Sequence, residues 1–203
     1  MNVLCIAPHP DDETIGCGGA LCLHADKGDR VAVVFLTSGE LGLKHLAKAE
    51  AWKIREAEAR AAAKILGVHD LTFLHCRDWE LNDDLPQALE DLRPIIERER
   101  PSLIYLPHPQ EWHPDHKAAA RIAEQLKSGA ELRAYEVWSP MPEHDDVTNI
   151  TSVWERKISA LRCHASQLAT WPYERAVQGL AQFRGAMAGR CEFAEVFKKL
   201  PGA

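Results

Sequence analysis

Residues 3–19 read VLCIAPHPDDETIGCGG: five apolar residues, a histidine between two prolines, three consecutive acids, then a glycine-rich stretch. Val3–Ala7 is apolar without alternation, which is the character of a strand covered on both faces, as in parallel sheets. The cluster Pro8-His9-Pro10-Asp11-Asp12-Glu13 follows at once, and a helix is expected over Ile15–Asp26. In an open parallel sheet ligands gather beyond the carboxyl ends of the strands, so this cluster stands where a site belongs.

Outward from it, short apolar runs go on alternating with longer amphipathic ones. Further strands are expected over Arg30–Thr37, Leu71–His75, Leu103–Pro107 and Leu132–Trp138, and helices over Lys48–Leu66, Leu85–Arg100 and Pro114–Lys127. Gly28 and Gly67 fall where helices take their C-terminal caps, and Pro114 suits a first helical turn with His113 as N-cap. The alternation predicts an α/β fold with a mostly parallel sheet flanked by helices. Residues 152–203 read as two more helices, broken near Trp171-Pro172, that extend the same domain.

With 203 residues, 46% hydrophobic and 27% charged, the chain fills one core, and a single domain over 1–203 is expected. A net charge of -6, both signs mixed along the length, gives no basic stripe for a phosphate backbone, so no nucleic-acid partner is expected. Six cysteines without a CxxC pair read as free thiols of a reducing compartment. With no basic leader and no membrane-length apolar run, a cytoplasmic chain without a membrane partner is expected.

His9 in the turn and Asp12 one helical turn later can face one ion, leaving Asp11 free. The three acids could instead merely complement the helix dipole, and Gly16, Cys17, Gly18 and Gly19 could form a phosphate-binding loop. The glycine spacing misses the dinucleotide fingerprint, however, and three carboxylates would repel a pyrophosphate. A second quartet, His113-Pro114-Asp115-His116, follows the fourth strand and opens a helix in the same way. His113 and His116 can face one cavity, and Asp115 can orient a ring. Imidazole with carboxylate suits zinc, one ion per chain, although other divalent ions compete for such a set. If His9, Asp12, His113 and His116 all bound, no place would remain for water; spacing leaves open which histidine stays out.

These residues resemble the LmbE-like or PIG-L family of zinc-dependent deacetylases. PHPDDE at 8–13, TSGE at 37–40 and HPDH at 113–116 carry the likeness, with Arg55-Glu56-Ala57-Glu58 and Phe73-Leu74 followed by Asp78 in support. The resemblance implies a Rossmann-like fold, His9, Asp12 and His116 as metal ligands, Asp11 as general base and a protonated His113 stabilising the oxyanion. It also implies Glu40, Arg55 and Asp78 as substrate-binding residues. The substrate would be a small N-acyl compound, an N-acetyl amino sugar in most of the family, cut at a linear amide C–N bond; self-association is implied too. The rivals are an amidase for a non-sugar amide, a nucleotide or sugar-phosphate binding domain, and a structural metal protein. Gln110-Glu111-Trp112 stands where family members differ. Cys163-His164-Ala165-Ser166-Gln167 also looks like a branch of the family, and the plain reading there is a helix-end histidine with a capping serine.

Overall fold

In the computed structural model, which describes residues 1–126 and 128–201, the apolar runs become the inner strands of one sheet. The strands are β1 (Asn2–Ala7), β2 (Arg30–Thr37), β3 (Asp70–Cys76), β4 (Leu103–Pro107), β5 (Glu131–Tyr135), β6 (Asp146–Asn149) and β7 (Ala194–Leu200), in the order β3-β2-β1-β4-β5-β7-β6. The first five are parallel, while β7 runs antiparallel to both β5 and β6. The helices are α1 (Asp12–Asp26), α2 (Lys48–Leu66), α3 (Leu81–Glu99), α4 (Pro114–Gln125), α5 (Trp154–Leu161), α6 (Ala165–Leu168) and α7 (Tyr173–Arg184).

Alternate residues of the strands feed two cores. Val3, Cys5, Val31, Val33 and Phe35 pack with α1, α2 and α5 on one face, and Leu4, Ile6, Ala32, Val34 and Leu36 with α3 and α4 on the other. Both faces are covered, which is why these strands lack polar alternation. The chain leaves β1 toward β2 and β3, then returns to β4 on β1's other side, so the β1–α1 and β4–α4 loops meet at a topological switch point. No helix among the described residues is long and apolar enough to cross a membrane, and the six cysteines are free.

β2, β4 and α2 have the expected bounds, and Gly28 and Gly67 take left-handed φ of 79° and 84° beyond their helices. β5 stops at Tyr135 instead of Trp138, because the Glu111 carboxylate accepts the backbone N–H groups of Val137, Trp138 and Ser139 at 2.8, 2.9 and 3.1 Å. α3 begins at Leu81 instead of Leu85, and α4 is described to Gln125, with the expected end at Lys127 outside the described residues. The expectation that 152–203 is wholly helical is corrected. After α5, α6 and α7 the chain enters β7, where Val196 and Phe197 are buried in the sheet.

That strand also explains α1. The helix is kinked at Cys17 (φ -139°, ψ 15°), which frees backbone groups on both sides of the kink. Glu195 of β7 accepts the N–H groups of Gly19 and Ala20, both at 2.8 Å, and Lys157 of α5 donates to the Ile15 carbonyl at 2.7 Å and to Glu195 at 2.6 Å. A buried ion pair thus caps two half-helices. The glycines serve close packing: a Cβ on Gly16 would meet the Tyr135 ring at 2.1 Å, and one on Gly19 would meet Ile150 at 2.6 Å. A carboxylate takes the amides that a phosphate loop would offer, which removes the support for a nucleotide site. Lys157→Met should therefore strand Glu195 in the interior and cost about 3–5 kcal/mol in urea unfolding. A loss below about 1 kcal/mol would mean that the pair does not hold the kink.

Candidate metal centre

The β1–α1 turn is closed by reciprocal bonds, the Asp12 N–H donating to the His9 carbonyl at 3.2 Å and the His9 N–H to Asp12 Oδ2 at 2.9 Å. Between them Asp11 takes φ 126°, a conformation that costs a side-chain-bearing residue about 1–3 kcal/mol. Glu13 Oε2 accepts the Asp11 N–H at 3.1 Å, and Arg55 donates to the Pro10 carbonyl while lying 3.4 Å from Asp11 Oδ2. The second quartet opens α4 as expected, with His113 as N-cap and Nδ1 accepting the Asp115 N–H at 3.2 Å.

The two loops bring their histidines together. Ring centroids of His9, His113 and His116 lie 4.9 to 5.4 Å apart. Asp12 Oδ2 is 3.0 Å from His9 Nδ1 and 3.3 Å from His116 Nε2. His9 Nε2 faces Asp115 Oδ2 at 3.1 Å and Asp78 Oδ1 at 3.2 Å. Ligand atoms of His9, His113 and His116 lie close enough to share an ion, as do those of His9, Asp78 and Asp115.

The donor set fits a cation. Asp12 Oδ1 and both ring nitrogens of His116 are buried without a hydrogen-bond partner among the described residues, although buried polar atoms are normally paired. His9 turns Nε2 to Asp115 and Asp78 and Nδ1 to Asp12, so carboxylates face both ring nitrogens and the arrangement asks for a positive charge there, whether a proton or a bound cation.

Electrostatics agree. Burial is the strongest single influence on His9 and opposes its charge, yet Asp115, Asp12 and Asp78 together raise its pKa well above the usual imidazole value. Burial opposes charge on His116 as well, but Asp12 and Glu111 lift it to about 9. Burial would raise Asp12, but His116 and His9 hold it far below the carboxylate range. Burial, and next the neighbouring charges of His9 and His116, push His113 down to about 4. Asp11 is pushed up to about 6, by burial first, against the pull of Arg55.

A cleft of about 740 Å³ opens over this cluster, with His9, Asp11, Arg55, Asp78 and His113 in its wall. Glu40, expected beside them, is not in that wall: its carboxylate binds Trp52 Nε1 and Lys48 Nζ, each at 2.9 Å. The expectation of a protonated His113 is corrected too. Nδ1 accepts a backbone N–H and so carries no proton, which leaves the neutral ring protonated on Nε2. His164 does stand at a helix end, as the N-cap of α6, but the serine beside it is not a cap. Its buried ring lies 3.7 Å from Glu13 Oε1, and Ser166 donates through N–H and Oγ to Glu58 at 2.8 and 2.7 Å.

Glu111 belongs to the stretch where family members differ, but motif reading missed its role. Fully buried, it braces three backbone amides with one oxygen and holds the other 3.7 Å from His116 Nδ1. Its place two residues before HPDH marks the residue, but nothing local marks the amides it braces.

A family described as PIG-L: GlcNAc-PI de-N-acetylase matches residues 4–127. The diacetylchitobiose deacetylase of Thermococcus kodakarensis is 30% identical over 99% of this chain and 84% of its own length. The 4-oxalmesaconate hydratase of Pseudomonas putida is 30% identical over 93% of this chain and 81% of its own. Among solved structures, the N,N'-diacetylchitobiose deacetylase from Pyrococcus horikoshii aligns with a TM-score of 0.87 at 30% identity, covering 98% of this chain and 84% of that one.

Glu111→Ala should lower stability by at least about 3 kcal/mol in urea unfolding, since each buried donor left unpaired costs about 1–3 kcal/mol. Glu111→Gln, which keeps an acceptor, should retain most of it. Equal losses in the two variants would show that the amide brace is not what Glu111 supplies.

Proposed function

The chain belongs to the PIG-L family, and from that membership we propose that it removes the acetyl group from the nitrogen of a small N-acetylglucosaminyl compound, cutting a linear amide C–N bond. His9, Asp12 and His116 would hold one divalent ion, zinc by the chemistry of the set. The observation that carries the reading is the pair of buried atoms Asp12 Oδ1 and His116 Nε2, without a hydrogen-bond partner among the described residues, beside Asp11 at the cleft.

When bound, the ion would polarise the acyl carbonyl and make a water acidic enough to attack near neutral pH. Asp11 takes the proton of that water; its constrained backbone and the Arg55 guanidinium hold the carboxylate in the cleft wall. His113 donates a hydrogen bond from Nε2–H to the carbonyl oxygen as negative charge gathers there. As the C–N bond breaks, Asp11 passes its proton to the leaving nitrogen, so that acid and base work falls to one carboxyl group. Arg55 and Asp78 stand at the cleft wall where substrate hydroxyls would meet them. The likeness to a hydratase supports a second reading, addition of water to a substrate with no acyl group to lose.

Metal content and acetate release, measured together on a panel of N-acetylglucosaminides, test these roles. Asp11→Asn should keep about one ion per chain and lose roughly 10²–10⁴-fold in turnover. His113→Ala should keep the ion and lose roughly 10²–10³-fold. His116→Ala should lose the ion itself. Equal metal loss in Asp11→Asn and His116→Ala would overturn the assignment, and a full metal complement without acetate release would favour water addition.

A further inference from the structure

Cys163-His164-Ala165-Ser166-Gln167 is a motif that the proposed chemistry leaves without a role. Its histidine is fully buried, and both ring nitrogens lack a hydrogen-bond partner among the described residues. A histidine serving the framework alone would spend those nitrogens on it, because buried polar atoms are normally paired. The backbone, by contrast, is fixed. The His164 N–H donates to the Leu161 carbonyl at 3.0 Å, and the His164 carbonyl accepts the N–H groups of Gln167 and Leu168, both at 3.1 Å.

What the ring faces is Glu13. His164 Nε2 stands 3.7 Å from Glu13 Oε1, a separation that a small rotation of either side chain brings to hydrogen-bond length. Glu13, also buried, is committed to the turn that carries Asp11: Oε2 accepts the Asp11 N–H at 3.1 Å and Oε1 accepts the Thr14 hydroxyl at 2.7 Å. That bond matters because Asp11 takes φ 126°, a conformation that a side-chain-bearing residue keeps only where its surroundings over-determine it. Were the Glu13 carboxylate free to turn away, the Asp11 peptide would relax and carry its side chain out of the cleft wall. His164 stands behind Glu13, where it opposes that turn.

The same segment backs the other support of Asp11. Arg55 on α2 binds the Pro10 carbonyl and lies beside the Asp11 carboxylate. One turn further along α2, Glu58 accepts the N–H and hydroxyl of Ser166. A Cβ on Gly42 would meet Gln167 Oε1 and Arg55 Nη1, each at 2.8 Å, so those two side chains close on one point. α6 is therefore tied to the helix that presents Arg55, while its N-cap residue reaches Glu13.

We propose that His164 is a positioning residue for Asp11: acting through Glu13, it holds the Asp11 peptide in its positive-φ turn and so keeps the carboxylate aimed into the cleft. This rests on the deacetylase reading for what Asp11 does, and on the geometry alone for how Asp11 is held.

The test compares the zinc-loaded wild type with His164→Leu, which fills the space without the nitrogens, and His164→Gln, whose amide nitrogen reaches the place of Nε2. Three quantities are read: zinc per chain, kcat and KM for acetate release from N-acetylglucosaminides, and hydrogen exchange at the Asp11 amide by NMR. His164→Leu should keep about one ion per chain and a KM within about twofold, while kcat falls roughly 10- to 100-fold, the scale of a reacting group displaced by about 1 Å. Its Asp11 amide should exchange about tenfold faster or more, with the amides of β1 and β4 unchanged. His164→Gln should recover most of both losses. An unchanged kcat and Asp11 amide in His164→Leu would overturn the proposal, and so would equal losses in the two variants, which would credit the shape of the ring. Zinc loss would place His164 with the ligands, and faster exchange throughout β1 and β4 would make it a packing residue; either result overturns the proposal too. If His164→Leu does not fold, His164→Ala with added imidazole replaces it: return of kcat and of Asp11 protection supports the role, and no return, or no folded protein, overturns it. An Asp11 amide that responds as described in a protein whose wild type releases no acetate would overturn the deacetylase reading and leave the positioning of Asp11 standing.

Discussion

The Asp115 carboxylate ties three loops to one histidine. It accepts the N–H groups of Trp79 in the β3–α3 loop and of Leu81 where α3 begins, faces His9 Nε2 in the β1–α1 turn, and itself stands in the first turn of α4, where the β4–α4 loop ends. Asp78 adds the fourth, accepting the Leu41 N–H from the segment after β2 at 2.8 Å while it too faces His9. All four loops at the carboxyl ends of β1 to β4 are thus joined through one imidazole. The ring orientation of His9, the entry into α3 and the floor of the cleft are consequences of a single shared set of hydrogen bonds. Such contacts fix the orientation of a ring as well as its position.

The cost of this arrangement is offset elsewhere. Asp11 and Trp79 both occupy positive φ, and four carboxyl groups, Asp12, Asp78, Glu111 and Asp115, are buried within a few ångströms of the three histidines. Strain and buried charge of this kind persist only where the surrounding structure over-determines them. Two apolar layers on a sheet covered on both sides supply that rigidity, and the last strand extends it: β7 brings Glu195 to the kink of α1, next to the turn that carries Asp11 and Asp12. A strand far along the chain therefore helps to set the helix on which the site begins.

How much of this could be read from the sequence depended on whether the deciding interaction was local. β2, β4 and α2 were legible to the residue because their apolar periodicity is set by the layer they bury. That His9, Asp12, His113 and His116 come together was legible because two motifs repeat one chemistry at two strand ends. β7 was not, since Ala194–Leu200 contains Glu195 and two lysines, and its burial depends on Gly19, Ala20 and Lys157 elsewhere in the chain. The end of β5 depends on Glu111, twenty residues and more upstream of the amides it holds. Glu40 was misplaced for a similar reason: TSGE sets where its backbone goes, but Trp52 and Lys48 on α2 decide where its carboxylate turns. No periodicity encodes a partner of that sort.

His113 shows what the local hydrogen bond adds to the motif. The pattern HPDH says that a histidine stands at a helix N-terminus. There its Nδ1 satisfies the Asp115 N–H, one of the amides a helix leaves unpaired. The same bond takes the lone pair that a proton would need, so capping the helix and keeping the ring neutral are one event. The remaining proton is fixed on Nε2 before any substrate arrives, and the ring can only donate from that side. A neutral donor placed by a helix cap needs no pKa raised against burial and two neighbouring histidines, so in the oxyanion role proposed for His113 the helix start, and not added positive charge, would supply the donor.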